Sequence, residues 1–105
     1  MANTAARSGP TTINNTATTL HTTNTGEQFI VRNIHIANVT GTAATLKLSI
    51  GADAIGTRLL GDVSIPAAGT YDWSGFLVLE SDETIQATGG TDDALTATIS
   101  GVEVA

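Results

Sequence analysis

Apolar and polar residues alternate along most of this chain with a period of two. Residues 44–50 show it most plainly, where Leu46, Leu48 and Ile50 interleave with Thr45, Lys47 and Ser49. That is the pattern of a strand with one face in a core and the other in water. Residues 94–104 repeat it with Leu95, Ala97 and Ile99 on one face, and then the phase moves to Val102 and Val104. Gly101 sits at the change, where a bulge would shift the alternation by one residue. Residues 28–39 are the longest strand candidate and hold two apolar phases. Ile30, Ile34 and Ile36 fall in one, with Arg32 among them, and Phe29, Val31, His35 and Val39 in the other. Either both faces are covered or a bulge intervenes.

Residues 70–79 put Tyr71, Trp73, Leu77 and Leu79 in one phase, with Phe76 and Val78 opposite. Shorter strands are expected at 17–23, 57–65 and 84–88. Turn residues separate these segments: Asn24-Thr25-Gly26, Thr40-Gly41-Thr42, Pro66-Ala67-Ala68-Gly69, the acidic Glu80-Ser81-Asp82-Glu83, and Gly89-Gly90-Thr91-Asp92-Asp93, which reads as a hairpin loop. No long window keeps the i, i+3, i+4, i+7 apolar spacing of an amphipathic helix. The pattern therefore predicts an all-β fold, an antiparallel β-sandwich, jelly-roll-like, of about seven or eight strands. Residues 1–25 read as a polar N-terminal arm containing one strand candidate, and 26–105 as the sandwich domain. Leu46, Leu48, Ile50, Leu95, Ala97 and Ile99 are the expected core.

At 105 residues the chain has room for one domain. Charge changes the picture more than length does. Charged residues make up only 13% of the chain, against about 25% in ordinary soluble domains. Thr, Ala and Gly stand where Lys and Glu usually do, and such a surface resists association weakly. The net charge of -6 rests on four basic residues, Arg7, Arg32, Lys47 and Arg58. That balance argues against a nucleic-acid partner, which needs a basic face, and against anionic membrane surfaces. The N-terminal residues lack the apolar core of a secretory signal, so synthesis and assembly in a cytoplasm are expected.

Candidate chemistry is sparse. With no cysteine there is neither a disulfide nor a thiolate zinc site. His21 and His35 are the two histidines. No Gly-x-Ser-x-Gly elbow offers them a nucleophile, so no enzymatic activity is expected. His35 is expected to pack or hydrogen-bond on its strand, with His21 exposed. The carboxylates Glu80, Asp82, Glu83 and Asp92, Asp93 flank one short strand and lack the Asp-x-Asp-x-Asp-Gly spacing of a calcium loop. They read as solvated turn residues, and neither metal nor cofactor is expected. Tyr71 and Trp73 share a strand face. Core packing is the first reading for them, with a subunit contact or a sugar-stacking platform as the alternatives. The 70–79 strand has more apolar residues than one buried face needs, so Tyr71, Trp73, Phe76 and Val78 are the candidate interface.

Several phrases resemble small proteins encoded among the virion genes of tailed bacteriophages. They are Ile30-Val31-Arg32-Asn33-Ile34-His35-Ile36-Ala37-Asn38, Leu48-Ser49-Ile50-Gly51, Ile65-Pro66-Ala67-Ala68-Gly69-Thr70, Leu77-Val78-Leu79-Glu80-Ser81-Asp82-Glu83-Thr84-Ile85-Gln86-Ala87 and Ile99-Ser100-Gly101-Val102-Glu103-Val104. The resemblance implies a β-sandwich virion subunit without catalytic residues. Its implied role is to decorate and stabilise a capsid as a homo-oligomer, a trimer before a dimer, in contact with a major capsid protein. A tail or collar component and a carbohydrate-binding or host-adhesion module are the other readings.

Overall fold

The computed structural model describes residues 3–52 and 54–105. Eight strands lie among them: β1 (Asn3–Ile13), β2 (Thr18–Thr22), β3 (Gln28–Asn38), β4 (Ala44–Ile50), β5 (Arg58–Ile65), β6 (Thr70–Leu79), β7 (Thr84–Gly89) and β8 (Leu95–Val104). A single 3-10 turn, Ile55–Thr57, precedes β5. Strands β1-β8-β3-β6 form a first sheet in that order, and β2-β7-β4-β5 form a second. The pairings obey one rule: β1 with β8, β2 with β7, β3 with β6 and β4 with β5, all antiparallel. The chain is thus a single long hairpin, folded back between β4 and β5 and rolled into two layers, with β3–β8 and β4–β7 as the remaining ladders. This winding is a jelly roll, and the antiparallel sandwich expected from the alternation is present.

Two details differ from the expected picture. Only β4 and β5 are neighbours both in sequence and in a sheet. The turn at 89–93 carries the chain from β7 in the second sheet to β8 in the first, where a hairpin was expected. Gly and Asp relieve a tight backbone in either case, so composition does not separate a hairpin from an inter-sheet crossing. Residues 3–22, expected as a polar arm with one strand, supply an edge strand to each sheet. β1 runs along β8 from Asn3↔Val104 to Ile13↔Leu95, and β2 runs along β7. The inward positions of β1 are Ala6, Ser8 and Thr11 before the buried Ile13, too small or polar to announce a strand.

The core fills the space between the sheets. Leu46, Leu48, Leu95, Ala97 and Ile99 are buried as expected, joined by Ile13, Phe29, Val31, Ile34, Ile36, Ile65, Leu79 and Ile85. Ile50 is inward but half-buried, because it ends β4 and packs at the core's margin. Asn38 is a buried polar residue the pattern did not single out. Its Nδ2 donates to the carbonyls of Thr42 (2.8 Å) and Ile65 (3.1 Å), and its Oδ1 accepts from the Thr40 amide (3.0 Å) and hydroxyl (2.7 Å). Those four bonds pin the 39–43 turn to the end of β5 and leave the amide satisfied.

The two apolar phases of 28–39 are resolved by a bulge. Against β8, Val31 pairs with Gly101 and Asn33 with Ser100, so β3 carries one residue more than its partner, at Arg32. Phe29, Val31, Ile34 and Ile36 all face inward as a result. The bulge expected in β8 at Gly101 is therefore in β3, and β8 keeps its phase, with Val102 and Val104 outward. Gly101 is required for a different reason: a Cβ there would collide with the Ile30 carbonyl and lie 2.8 Å from the Phe29 ring. Leu48→Ala should lower the unfolding free energy by about 2–5 kcal/mol, the usual cost of a buried large-to-small change. Gly101→Ala should cost about 1–3 kcal/mol by overpacking. Urea denaturation checks both, and a loss under about half a kcal/mol in either would misplace that residue.

Candidate interaction surface

The four residues singled out at 70–79 divide between the two faces of β6, an edge strand of the first sheet. Tyr71 and Trp73 lie opposite the buried Ile36 and Ile34 and pack, half-buried, against the core. The Trp73 ring runs along β6 over Gly75, 3.4 Å from where a side-chain carbon at Gly75 would sit. Phe76 and Val78 face outward; Phe76 is 65% exposed.

Val78 does not stand alone on that outer face. Pairing places it beside Ile30 of β3, Ile30 beside Val102 of β8, and Val102 beside Ala5 of β1. An apolar row therefore crosses all four strands, with Phe76 at one corner. Sequence reading found one end of it and missed Ile30, Val102 and Ala5. The signal was the doubled phase of 28–39, which puts Ile30 outward once the bulge is located. One step along the strands on one side of the row stand Arg7, beside Ser100, and Arg32 in the bulge. Both arginines are exposed, and among the described residues neither guanidinium has an ion-pair or hydrogen-bond partner. On the other side Gln28 Nε2 donates to Glu80 at 2.9 Å. Around that pair lies an open depression of about 400 Å³ lined also by Glu27, Ser81 and Val104. Beyond Arg32, on the arginine side of the row, His35 Nδ1 and Asp72 Oδ1 lie 2.6 Å apart across β3 and β6.

The outer face of the second sheet is built differently. Its central positions are Thr45, Lys47, Ser49, Gln86 and Thr88, with a Lys47–Asp62 contact at 3.7 Å. Its exposed large apolar residue is Leu59, on the edge strand β5.

The acidic turn residues are engaged in loop hydrogen bonds. Thr25 Oγ1 donates to Asp82 (2.6 Å), Asn24 Nδ2 to Glu27 (3.2 Å) and Glu103 (3.3 Å), and the Glu80 amide to Glu83 (2.7 Å). At the other end of the sandwich, the Asn15 amide donates to Asp92 (3.2 Å). Among the described residues no three His, Asp or Glu side chains converge on one point. His21, expected exposed, is half-buried. Its Nδ1 hydrogen-bonds Ser8 Oγ at 2.5 Å and its ring lies 4.0 Å from that of Phe29. The bond joins β1 to β2, and so one sheet to the other at their shared edge.

The comparisons with known proteins concern the fold. Over its whole length the chain matches 89% of a chain in the acid-stable capsid of Helicobacter pylori bacteriophage KHP30, with TM-score 0.62 and 8% identity. This is a fold that a phage capsid uses. A second likeness is to the T13 particle of IBDV, over 97% of this chain and 31% of that one, with TM-score 0.53 and 8% identity. A third is to the Drosophila NLP core, described for pentamer formation and histone binding, over 98% of each chain with TM-score 0.50 and 7% identity. The expected likeness to small β virion proteins of phages thus holds at the level of the fold, and identities this low carry nothing finer. No protein-family model matches the chain, and no curated protein matches its sequence.

His21 yields a test of the edge. Burial lowers its pKa below the ordinary imidazole value of 6.5, and the Glu103 carboxylate opposes that to a lesser extent. The unfolded chain then binds the proton more readily than the folded one. Stability is full above about pH 6.5 and falls as pH drops through the imidazole range. Urea midpoints measured from pH 8 to pH 5 should decline for the wild type and decline less for His21→Gln. Parallel curves for the two proteins would remove His21 as a source of acid sensitivity.

Proposed function

We propose that this chain is a non-catalytic structural subunit of a bacteriophage virion, one that decorates the capsid and acts through self-association and contact with the major capsid protein. The observation that carries this reading is the inequality of the two outer faces. One is polar throughout its centre, and the other presents an apolar row whose large residues Ile30, Val78 and Val102 are half-buried, with the exposed Phe76 at one corner. Clustered exposed apolar residues mark interaction surfaces, and this chain has few charges to keep neighbours away. The fold shared with a chain of the KHP30 capsid supports a virion setting. A carbohydrate-binding role is disfavoured, because Tyr71 and Trp73, the rings that would stack on a sugar, pack against the core.

Particles assembled from the genome encoding this chain test the proposal. Quantitative mass spectrometry should find hundreds of copies per particle, and a cryo-electron map should show the sandwich on the shell with the first sheet's outer face covered. A handful of copies would assign the chain to the tail or collar. Its absence from particles would overturn the virion role.

A further inference from the structure

We infer that the outer face of the first sheet is a self-complementary contact, and that its occupant is a second copy of this chain related by a two-fold axis along the apolar row. The inference rests on the proposed self-association and specifies its geometry.

Arg32 and Gln28 stand two residues either side of Ile30 on β3, so each lies about 6.7 Å from the row. An axis along Ala5–Val102–Ile30–Val78 keeps that row over its own copy and exchanges the two flanks. Arg32 of each chain then faces the depression that holds Glu80 and Glu27 on the other. Arg7 likewise faces Asn3 across the axis. One unpaired cation, Arg32, and an unneutralised acidic hollow on the same face thus satisfy one another once a second copy is present, while Arg7 meets only a polar side chain. In such an isologous contact every interaction occurs twice. A three-fold arrangement joins unlike surfaces and leaves these flanks unmatched.

The overlap is small. The sheet extends one row beyond the axis on the Gln28 side, where β3 begins and β8 ends, so three rows about 6.7 Å apart across four strands about 4.8 Å apart give roughly 400 Å² per chain. The total, about 800 Å², is the size of a weak, reversible contact, so its specificity rests on the charges. The sheet edges offer a poorer route. Each of the four edge pairings, β1–β8, β6–β3, β2–β7 and β5–β4, is interrupted by a register shift, and bulged edges twist away from strand addition.

The test is charge exchange. Arg32 and Glu80 are exposed, so changing them leaves the fold intact, which circular dichroism and the melting temperature verify. Sedimentation equilibrium of the wild type at tens of micromolar should give twice the 10.7 kDa chain mass. Arg32→Glu alone and Glu80→Arg alone should each weaken the pair at least tenfold, because each places like charges together twice. Mixing the two variant chains should restore pairing, since in the mixed pair both contacts join opposite charges, and so should the double variant. A monomeric wild type overturns this pairing and leaves the virion role, read from particles, standing. An oligomer of any size indifferent to both changes, or single variants that fail to rescue each other, overturns it equally.

Discussion

One extra residue in β3 determines what this molecule shows to the outside. The bulge at Arg32 lets Phe29 and Val31 face the core on one side of it while Ile34 and Ile36 face the core on the other. Without it, one of those pairs would be turned to solvent, because side chains in a strand change face at every step. The seat for the shifted half is Gly101, whose missing side chain leaves room for the Phe29 ring and the Ile30 carbonyl. Ile30 is turned outward by the same shift, next to Val78 and Val102, and Arg32 is lifted out beside them. The core and the candidate contact are therefore two results of a single irregularity.

The jelly-roll winding distributes the consequences. Because the first half of the chain pairs with the second, the apolar row gathers residues far apart in sequence: Ala5, Ile30, Val78 and Val102. Four edge strands remain unpaired on their outer sides, and every one is bulged. The surface open to the proposed association is a face, not an edge. The low charge of the chain works in the same direction, since Glu27, Asp82 and Glu83 accept hydrogen bonds within and between the 24–27 and 80–83 turns, while the Glu80 carboxylate stays on the face beside Gln28. The Ser8–His21 bond clasps the sheets where β1 and β2 adjoin, so the face rests on a sandwich closed at that side by an ionisable group.

Alternation made β4, β6 and most of β8 legible, along with the core residues at 46, 48, 95, 97 and 99, because their inward residues are large and their outward neighbours polar. β1 was not legible, since Ala6, Ser8 and Thr11 occupy its inward positions and the ladder to β8 supplies what side chains do not. Strand order was hidden because Gly-, Thr- and Asp-rich turns serve a crossing between sheets as well as a hairpin. Asn38 lay unremarked inside the 28–39 strand, and its four hydrogen bonds appear only with the 39–43 turn and β5 in place. Half of the candidate surface was legible. Phe76 and Val78 were in the right phase, while Ile30 and Val102 depended on knowing which strand held the bulge. Tyr71 and Trp73 had been grouped with them by proximity in sequence, and the strand's own alternation sends them to the opposite face.

The central claim is that the outer face of the first sheet meets another chain. It can be tested most directly with thiol chemistry, because the chain has no cysteine of its own. Val102→Cys places one thiol on the apolar row of a central strand, and Thr88→Cys places one on the outer face of the second sheet. Packed sheets lie about 10 Å apart, so a bis-maleimide linker of about that span should join two Val102→Cys chains rapidly at tens of micromolar and leave Thr88→Cys uncoupled. Equal coupling of the two variants, or coupling of Thr88→Cys alone, would contradict the account.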